Sequence, residues 1–442
     1  MSTSPCPFRR ILGLLVLFAA AGCGDDAGGP PPVYAPALKL MVFSDPHYFD
    51  PSLGTTGAAF ESYVAHDRKL IAESDAIMRA MVGLVESENP EVVLVSGDIT
   101  KDGELVSHQS AAAYLRQMKS GGRRVFVVPG NHDIQNGDAR SYAGDVATAV
   151  ATVSAAEFAS IYGDMGYVDA LARDPDSLSY VAALVPGLWL LALDSCIYGD
   201  APGSSLTSGQ FRDSTQAWID ARLAEAKRQG IRVIGMMHHG VIEHFASQAM
   251  IFPEYLVADR DALGSLLSNG GVGVVFTGHF HANDITRGTP KGSTRSIYDV
   301  ETGSAVTYPC PYRVVDIASD TLAIATRHVT AIDYDLGGAQ DLQTYAHDRL
   351  RLGLEELITT LIEAPPYSVP AEKAALLSPW LGDGLLAHYA GDEVMPADAN
   401  TESQLLLSSP DTVEKLSGTM LRSIWTDLPP PDNDVTLDLS AR

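Results

Sequence analysis

Five apolar runs in this chain end in the same way, with side chains that bind metal ions. Asp45 and His47 follow "LKLMVF", and Asp98 follows "EVVLVS" through Gly97. Asn131, His132 and Asp133 come after "RVFVVPG", His238 and His239 after "VIGMM", and His279 and His281 after "VGVVFTG". Taken singly, each is an ordinary polar loop residue; taken together, they form a set that chance seldom assembles. The donors are carboxylates, an amide and imidazoles, with no thiolate, which suits Mn, Fe or Zn better than calcium or a structural zinc. Two ions about 3.5–4 Å apart need a bridging carboxylate. Asp98, preceded by the small Gly97, is the candidate for that bridge.

Such donors converge only if the runs before them lie side by side. The runs "LKLMVF", "EVVLVS", "RVFVVP", "LWLLAL", "IRVIGMM" and "VGVVFT" alternate with stretches of helical periodicity. Continuous apolar runs are the mark of strands buried on both faces, so a layered α/β domain is expected. Open sheets of that kind bind ligands beyond the carboxyl ends of their strands. Helices are expected in "HDRKLIAESDAIMRAMVGLVESE" and in "DSTQAWIDARLAEAKRQG". In the second, Ile219, Leu223 and Ala226 share a face and Gly230 supplies the stop. Past Thr330 come "AQDLQTYAHDRLRLGLEELITTLIEA" and "SPDTVEKLSGTMLRSIW". This divides the chain into a core domain at 38–330 and a helical C-terminal region at 331–442 that ends in a Pro/Asp-rich tail.

With 442 residues, 46% of them hydrophobic, the chain can bury a large core. Its 30 Lys and Arg against 55 Asp and Glu give a net charge of −25, which opposes binding to nucleic-acid polymers. A phosphate-bearing substrate then needs local cations, and metal ions would supply them. At the N-terminus, Arg9 and Arg10 precede "ILGLLVLFAAA", a targeting segment too short for a comfortable membrane span. "AAGC" resembles a bacterial lipoprotein signal, with Ala20 where Leu is usual. The resemblance implies a signal at 1–22 and lipidation of Cys23. Residues 23–37, including "GDDAGGPPPVYAPA", would be a flexible tether. The expected location is the bacterial cell envelope, exported and lipid-anchored on the periplasmic side. An ordinary secretory signal or an uncleaved anchor is the alternative. Cys6 lies within the signal, which leaves Cys196 and Cys310 as a disulfide that export would permit or as two buried thiols.

The ordered series "DPH", "GD", "GNHD", a later His and "GHFH" resembles the calcineurin-like metallophosphoesterase superfamily over Leu38 to Val329. This resemblance implies an α/β/β/α sandwich. It places Asp45, His47 and His281 on one metal ion, Asn131, His238 and His279 on another, and Asp98 on both. His132 would be the neighbouring non-ligand that protonates the leaving oxygen or stabilises charge on the transferring phosphoryl. Pro46 stands where the family often has Ile or Thr, and its fixed φ is tolerable in a strand-end loop. "GDITKDGELVSH", "DSLSYV" and "ETGSAVTYPCPYR" resemble secreted or lipid-anchored members similar to cyclic-nucleotide phosphodiesterases. The function so implied is hydrolysis of a small phosphate diester by a hydroxide held between two divalent or trivalent ions. A phosphomonoesterase or nucleotidase with the same centre is the alternative among enzymes. A non-catalytic, metal-binding envelope lipoprotein is the alternative of another class.

Several residues keep two readings. His239 should point away from His238, because adjacent side chains on a strand face opposite ways. Asp133 either orients a neighbour or caps a turn. Glu104 and His108 either pair or sit on a solvated helix start. Tyr308, Tyr312 and Arg313 of "TYPCPYR" either line a substrate pocket or pack in a core. In "LLAHYAGDE", Gly391 stops a helix, and His388, with Asp392 and Glu393, either ends it or reaches over the metal centre as a substrate contact.

Overall fold

The computed structural model describes residues 37–365 and 367–439. The signal, Cys23 and the tether lie outside these residues, apart from position 37. Three strands come first: β1 (Ala37–Phe43), β2 (Val92–Val95) and β3 (Arg124–Val127). A hairpin follows, β4 (Arg140–Ala143) with β5 (Val146–Ala149). Next are β6 (Ala172–Arg173), β7 (Tyr180–Val185), β8 (Leu188–Ala192) and the short pair β9 (Cys196–Ile197) and β10 (Leu206–Gly209). Then come β11 (Arg232–Met236), β12 (Val274–Thr277), β13 (Ile285–Gly288) and β14 (Ile297–Glu301). The last three are β15 (Pro311–Ala318), β16 (Thr321–His328) and β17 (Asp434–Asp438).

These strands build a six-stranded sheet, β17-β16-β15-β1-β2-β3, and a seven-stranded sheet, β13-β14-β12-β11-β8-β7-β6. Within the first, β1, β2 and β3 run parallel. Within the second, β8, β11, β12 and β14 do so. One apolar core contains Leu40, Val42, Val93 and Val127 of the first sheet with Leu190, Ile234, Phe276 and Val300 of the second. The helices Ser74–Glu88 and Leu105–Met118 join that core through Ile77, Met81, Ala111 and Leu115. The helices Asp213–Arg228 and Arg260–Gly270 cover Trp189, Val233 and Val275 with Ile219, Leu223, Leu263 and Leu267. The architecture is the expected α/β/β/α sandwich. Every residue of β2 and of β12 is buried, which is why these strands read as unbroken apolar runs.

Beyond the sheets stand the helices Leu342–Glu363, Ala371–Ala390, Ala397–Ser408 and Thr412–Ile424. Their apolar faces form a second core with Phe245, Phe252, Phe280 and Ala282. They belong to the same compact unit as the sheets. Among the described residues no helix is long and apolar enough to cross a membrane.

Two expectations need correction, and one choice left open is settled. The C-terminal segment is not a tail, because β17 pairs antiparallel with β16 and buries Leu437 at the edge of the first sheet. The helix expected from His66 starts at Ser74, and the irregular turn before it buries Leu70 and Ile71. Cys196 and Cys310 are free thiols, with Cys196 Sγ donating to the Pro129 carbonyl at 3.3 Å.

Candidate metal centre

The loops that leave β1 and β2 run past their strands together. Asp45 N donates to Gly97 O at 3.1 Å and His47 N to Asp98 O at 3.0 Å, so both residues are drawn beside Asp98. The second sheet meets the first here, where Ala305 N donates to Ser44 O at 3.0 Å. Small residues make the convergence possible. A Cβ on Gly130 would stand 2.1 Å from Asp98 Oδ1, and one on Gly278 would stand 2.5 Å from Asp45 Oδ2. The backbone is also forced. Asp45, His47, Asp98, His279 and His281 all have positive φ, from 36° to 79°, a region non-glycine residues seldom occupy. Such conformations cost about 1–3 kcal/mol each and collect at functional sites.

The donors form two groups joined by one carboxylate. In the first, His281 Nε2 lies 3.1 Å from His47 Nε2 and 3.4 Å from Asp45 Oδ1. In the second, His238 Nε2 lies 3.1 Å from Asn131 Oδ1, and the His279 ring is centred 4.7 Å from that of His238. Asp98 Oδ2 faces both groups, 3.7 Å from His47 Nε2 and 3.3 Å from His238 Nε2. Asp98 Oδ1 accepts from His132 N at 2.8 Å, which fixes the carboxylate's orientation.

These residues fit two divalent ions. Asp45 Oδ1 is buried without a hydrogen-bond partner. Two imidazole nitrogens that face each other at 3.1 Å, as in His47 and His281, suit ligation, which needs neutral rings. Burial holds His47 and His279 well below the ordinary histidine range, and it lowers His281 as well. His238 goes the other way, to about 9, because Asp98 and Asp45 outweigh its burial. Asp98 itself lies well below the carboxylate range; burial opposes that shift, and His238 and His132 produce it.

His132 stands beside this set, its ring perpendicular to that of His47 at 4.9 Å, with 27% of its side chain exposed. Its Nδ1 is 2.8 Å from Asp102 Oδ1, and Lys101 Nζ contacts the other oxygen of that carboxylate. Burial lowers the His132 pKa, yet Asp98 and the Asp102 hydrogen bond raise it above its ordinary value. Asp133 is an orienting residue rather than a cap. Its carboxylate accepts from Ile99 N, Thr100 N and Gly130 N, tying the Asp98 loop to the Asn131 loop. His239 is held by Ser195 Oγ and Thr207 O, but it does not point away as expected. Its ring is centred 5.2 Å from that of His238 and 4.4 Å from that of His279, because β11 ends at Met236 and strand alternation does not reach this pair. Glu104 and His108 neither pair nor face water. Both are fully buried, with Glu104 3.8 Å from Lys101 Nζ and His108 Nδ1 2.9 Å from the Tyr162 hydroxyl.

The four residues considered for substrate contact lie elsewhere. Arg313 is buried in β15 and donates to Thr326 Oγ1 and to the carbonyls of Asp432 and Glu301, so it clasps the segment before β17. Tyr312 turns its hydroxyl toward Glu88, and Tyr308 packs on His347 with ring centres 5.2 Å apart. His388 is buried against Glu393. The aromatic rings at the centre are instead Tyr255, 4.6 Å from His279, and Tyr389, 6.5 Å from His281. Asp102, Tyr255 and Tyr389 escaped the sequence reading. Only Asp102 carried a signal there, as a carboxylate shortly after the Asp98 strand end.

Residues 38–283, more than half of the chain, match the family model of calcineurin-like phosphoesterases. The chain belongs to this family. It is a metallophosphoesterase, a hydrolase of phosphate esters, and the two donor groups suit the family's use of two metal ions. It is similar to the 3',5'-cyclic adenosine monophosphate phosphodiesterase CpdA of Haemophilus influenzae, 30% identical over 101 residues. That match spans 23% of this chain and 31% of the relative. Among solved structures, a dimetal phosphatase from Danio rerio aligns with a TM-score of 0.48 and 17% identity, over 66% of this chain and 96% of the other. A phosphopantetheinyl hydrolase from Mycobacterium tuberculosis aligns with a TM-score of 0.31 and 13% identity, over 60% and 89% of the two chains.

Proposed function

We propose that the chain hydrolyses small phosphodiesters, with cyclic nucleotides as the first substrate class to test. The observation that carries the two-metal hydrolase part of this reading is Asp98 Oδ2, a single carboxylate oxygen facing His47 on one side and His238 on the other. Asp45, His47 and His281 would hold one ion and Asn131, His238 and His279 the other, with Asp98 shared. Such a pair neutralises phosphoryl oxygens and lowers the pKa of water. His132 does the work left to the chain. Asp102 fixes its Nδ1, so Nε2 can carry a proton to the departing oxygen from the open side of the centre. The choice of cyclic nucleotides draws on the Haemophilus relative and on the "GDITKDGELVSH", "DSLSYV" and "ETGSAVTYPCPYR" segments.

Manganese-loaded protein should cleave cyclic AMP and an aryl phosphodiester faster than an aryl phosphomonoester, compared by kcat/KM. Preference for the monoester would replace this reading with a phosphatase on the same centre. We further propose that the chain is exported to the bacterial envelope and anchored there through lipidated Cys23. Wild-type protein should then partition with membranes, and Cys23→Ser should block maturation at that site. A soluble mature chain whose first residue is unrelated to position 23 would end the proposal.

A further inference from the structure

A second set of metal-type donors closes the seam between the C-terminal helices and the sheets. Asp284 lies three residues past His281 and immediately before β13. His388 is in the last turn of the helix Ala371–Ala390, and Glu393 follows its Gly391 stop. One donor atom from each of these three residues lies within 4.8 Å of the others, and their side chains are at most 1% exposed. His388 Nδ1 is 3.6 Å from Asp284 Oδ2 and contacts Glu393 Oε1. His244 Nδ1, 2.5 Å from Asp284 Oδ1, orients the first carboxylate from behind, as outer partners of metal ligands do.

The site is short of positive charge and of hydrogen-bond donors. Asp284 Oδ2, Glu393 Oε2 and the nearby Glu301 Oε1 are buried with no hydrogen-bond partner, a costly arrangement for a carboxylate. His244 and His388 face four carboxylates, those of Asp284, Asp299, Glu301 and Glu393, so protonating both rings still leaves a negative excess. The buried Arg313 guanidinium adds a positive charge that acts on Asp284 and Glu301, but it donates to Thr326 Oγ1 and to backbone carbonyls, so the free oxygens of Asp284, Glu301 and Glu393 still lack a donor. Burial pushes the Glu301 carboxyl up to about 8, although His244 and His388 pull it down.

We propose that Asp284, His388 and Glu393 hold a further divalent ion, of the zinc or manganese type, with a structural role. Two carboxylates and one imidazole are donors that such ions accept. Ligand bonds of about 2.0–2.2 Å leave tetrahedral donor pairs roughly 3.4 Å apart. The 3.6 Å between Asp284 and His388 already approaches that spacing, and Glu393 needs only to draw back from His388. The ion would join the end of a C-terminal helix to the segment that carries His279 and His281. Phe280, between those two ligands, packs on the His388 ring at 5.7 Å.

This inference does not depend on which phosphate ester is cleaved, and metal content tests it directly. Full-length protein would be saturated with Zn²⁺, freed of excess ion and assayed by elemental analysis. Wild type should hold three ions per chain, Glu393→Gln should hold two, and Asp98→Asn should still retain one. Titration of the metal-free wild type with Co²⁺ should show a third equivalent with its own absorption bands, a readout that survives if a variant fails to fold. Saturation of the wild type at two ions, or three ions in Glu393→Gln, would overturn the proposal.

Discussion

The candidate metal centre and the cluster around Asp284 are built from the same side-chain types on differently shaped backbones. At the centre, Asp45, His47, Asp98, His279 and His281 all sit in left-handed conformations in loops at strand ends. In the second cluster, His244, Asp284, Asp299, Glu301 and His388 have ordinary φ, and positive φ is confined to Gly391 and Asp392, just before Glu393. The difference has a physical origin. Asp299 and Glu301 of β14 and His388 of its helix are presented at fixed intervals, and His244, Asp284 and Glu393 reach them from flanking loops at one seam. Bringing carboxylates and imidazoles from five strand ends to one point requires the chain to turn back on itself within two residues. That strain persists only where other interactions hold it, and bound ions would contribute to holding it.

The sharpest way to break this comparison is Asp98→Ala. Removal of the carboxylate shared by both groups should take turnover to background and metal content at the centre below two ions. Near-normal turnover with two bound ions would mean that Asp98 joins nothing. His132→Ala should follow, with both ions retained and turnover slowed roughly 10²–10⁴-fold, the range for a lost general acid. An aryl ester, whose leaving group hardly needs a proton, should suffer less than a ribose ester. Equal slowing of the two would assign His132 to charge stabilisation instead.

Asp102→Asn should cost roughly 10–100-fold, as lost orienting partners do. It should also move the alkaline limb of the rate profile. Asp102 helps to raise the His132 pKa, and a general acid must be protonated, so activity should fall at lower pH than in the wild type. An unmoved limb would leave Asp102 a merely structural role. Arg313→Met probes the seam and should leave KM unchanged. Losing the three short hydrogen bonds from a charged donor, to Thr326 Oγ1, Asp432 O and Glu301 O, at about 1.5 kcal/mol each, should lower unfolding stability by roughly 4–5 kcal/mol in denaturant titration.

The centre was legible because its strands are buried on both faces. Such strands have few polar positions of their own, so the carboxylates and imidazoles that follow "VVLV" or "VVFT" stand out as strand-end residues. Strand alternation suggested that only one of His238 and His239 would ligate, and the family resemblance picked His238. Asp102 was not separable in this way, since "TKDGE" has the composition of any exposed turn, and its burial comes from contacts with Lys101 and His132. Arg313 misled for a related reason. An arginine beside two tyrosines suggests an anion pocket, whereas its neighbours in space are Thr326 of β16 and the carbonyl of Asp432, just before β17. Those partners are far away in sequence, and no local pattern announces them. The strand β17 was hidden likewise, because its pairing with β16 is settled by a partner more than a hundred residues upstream.

The strand order of the first sheet also sets a timetable for synthesis. β1 is made first, yet one of its two neighbours is β15, with Ala37 opposite Ala318. At roughly 5–20 residues per second of translation, tens of seconds pass before that neighbour exists. Closure over such a separation is slow even once the chain is complete. The sheet's final edge waits longer still, for β17. A nascent chain therefore keeps one edge of β1 open through most of its own synthesis, an interval in which a chaperone can take hold of it before the sandwich shuts.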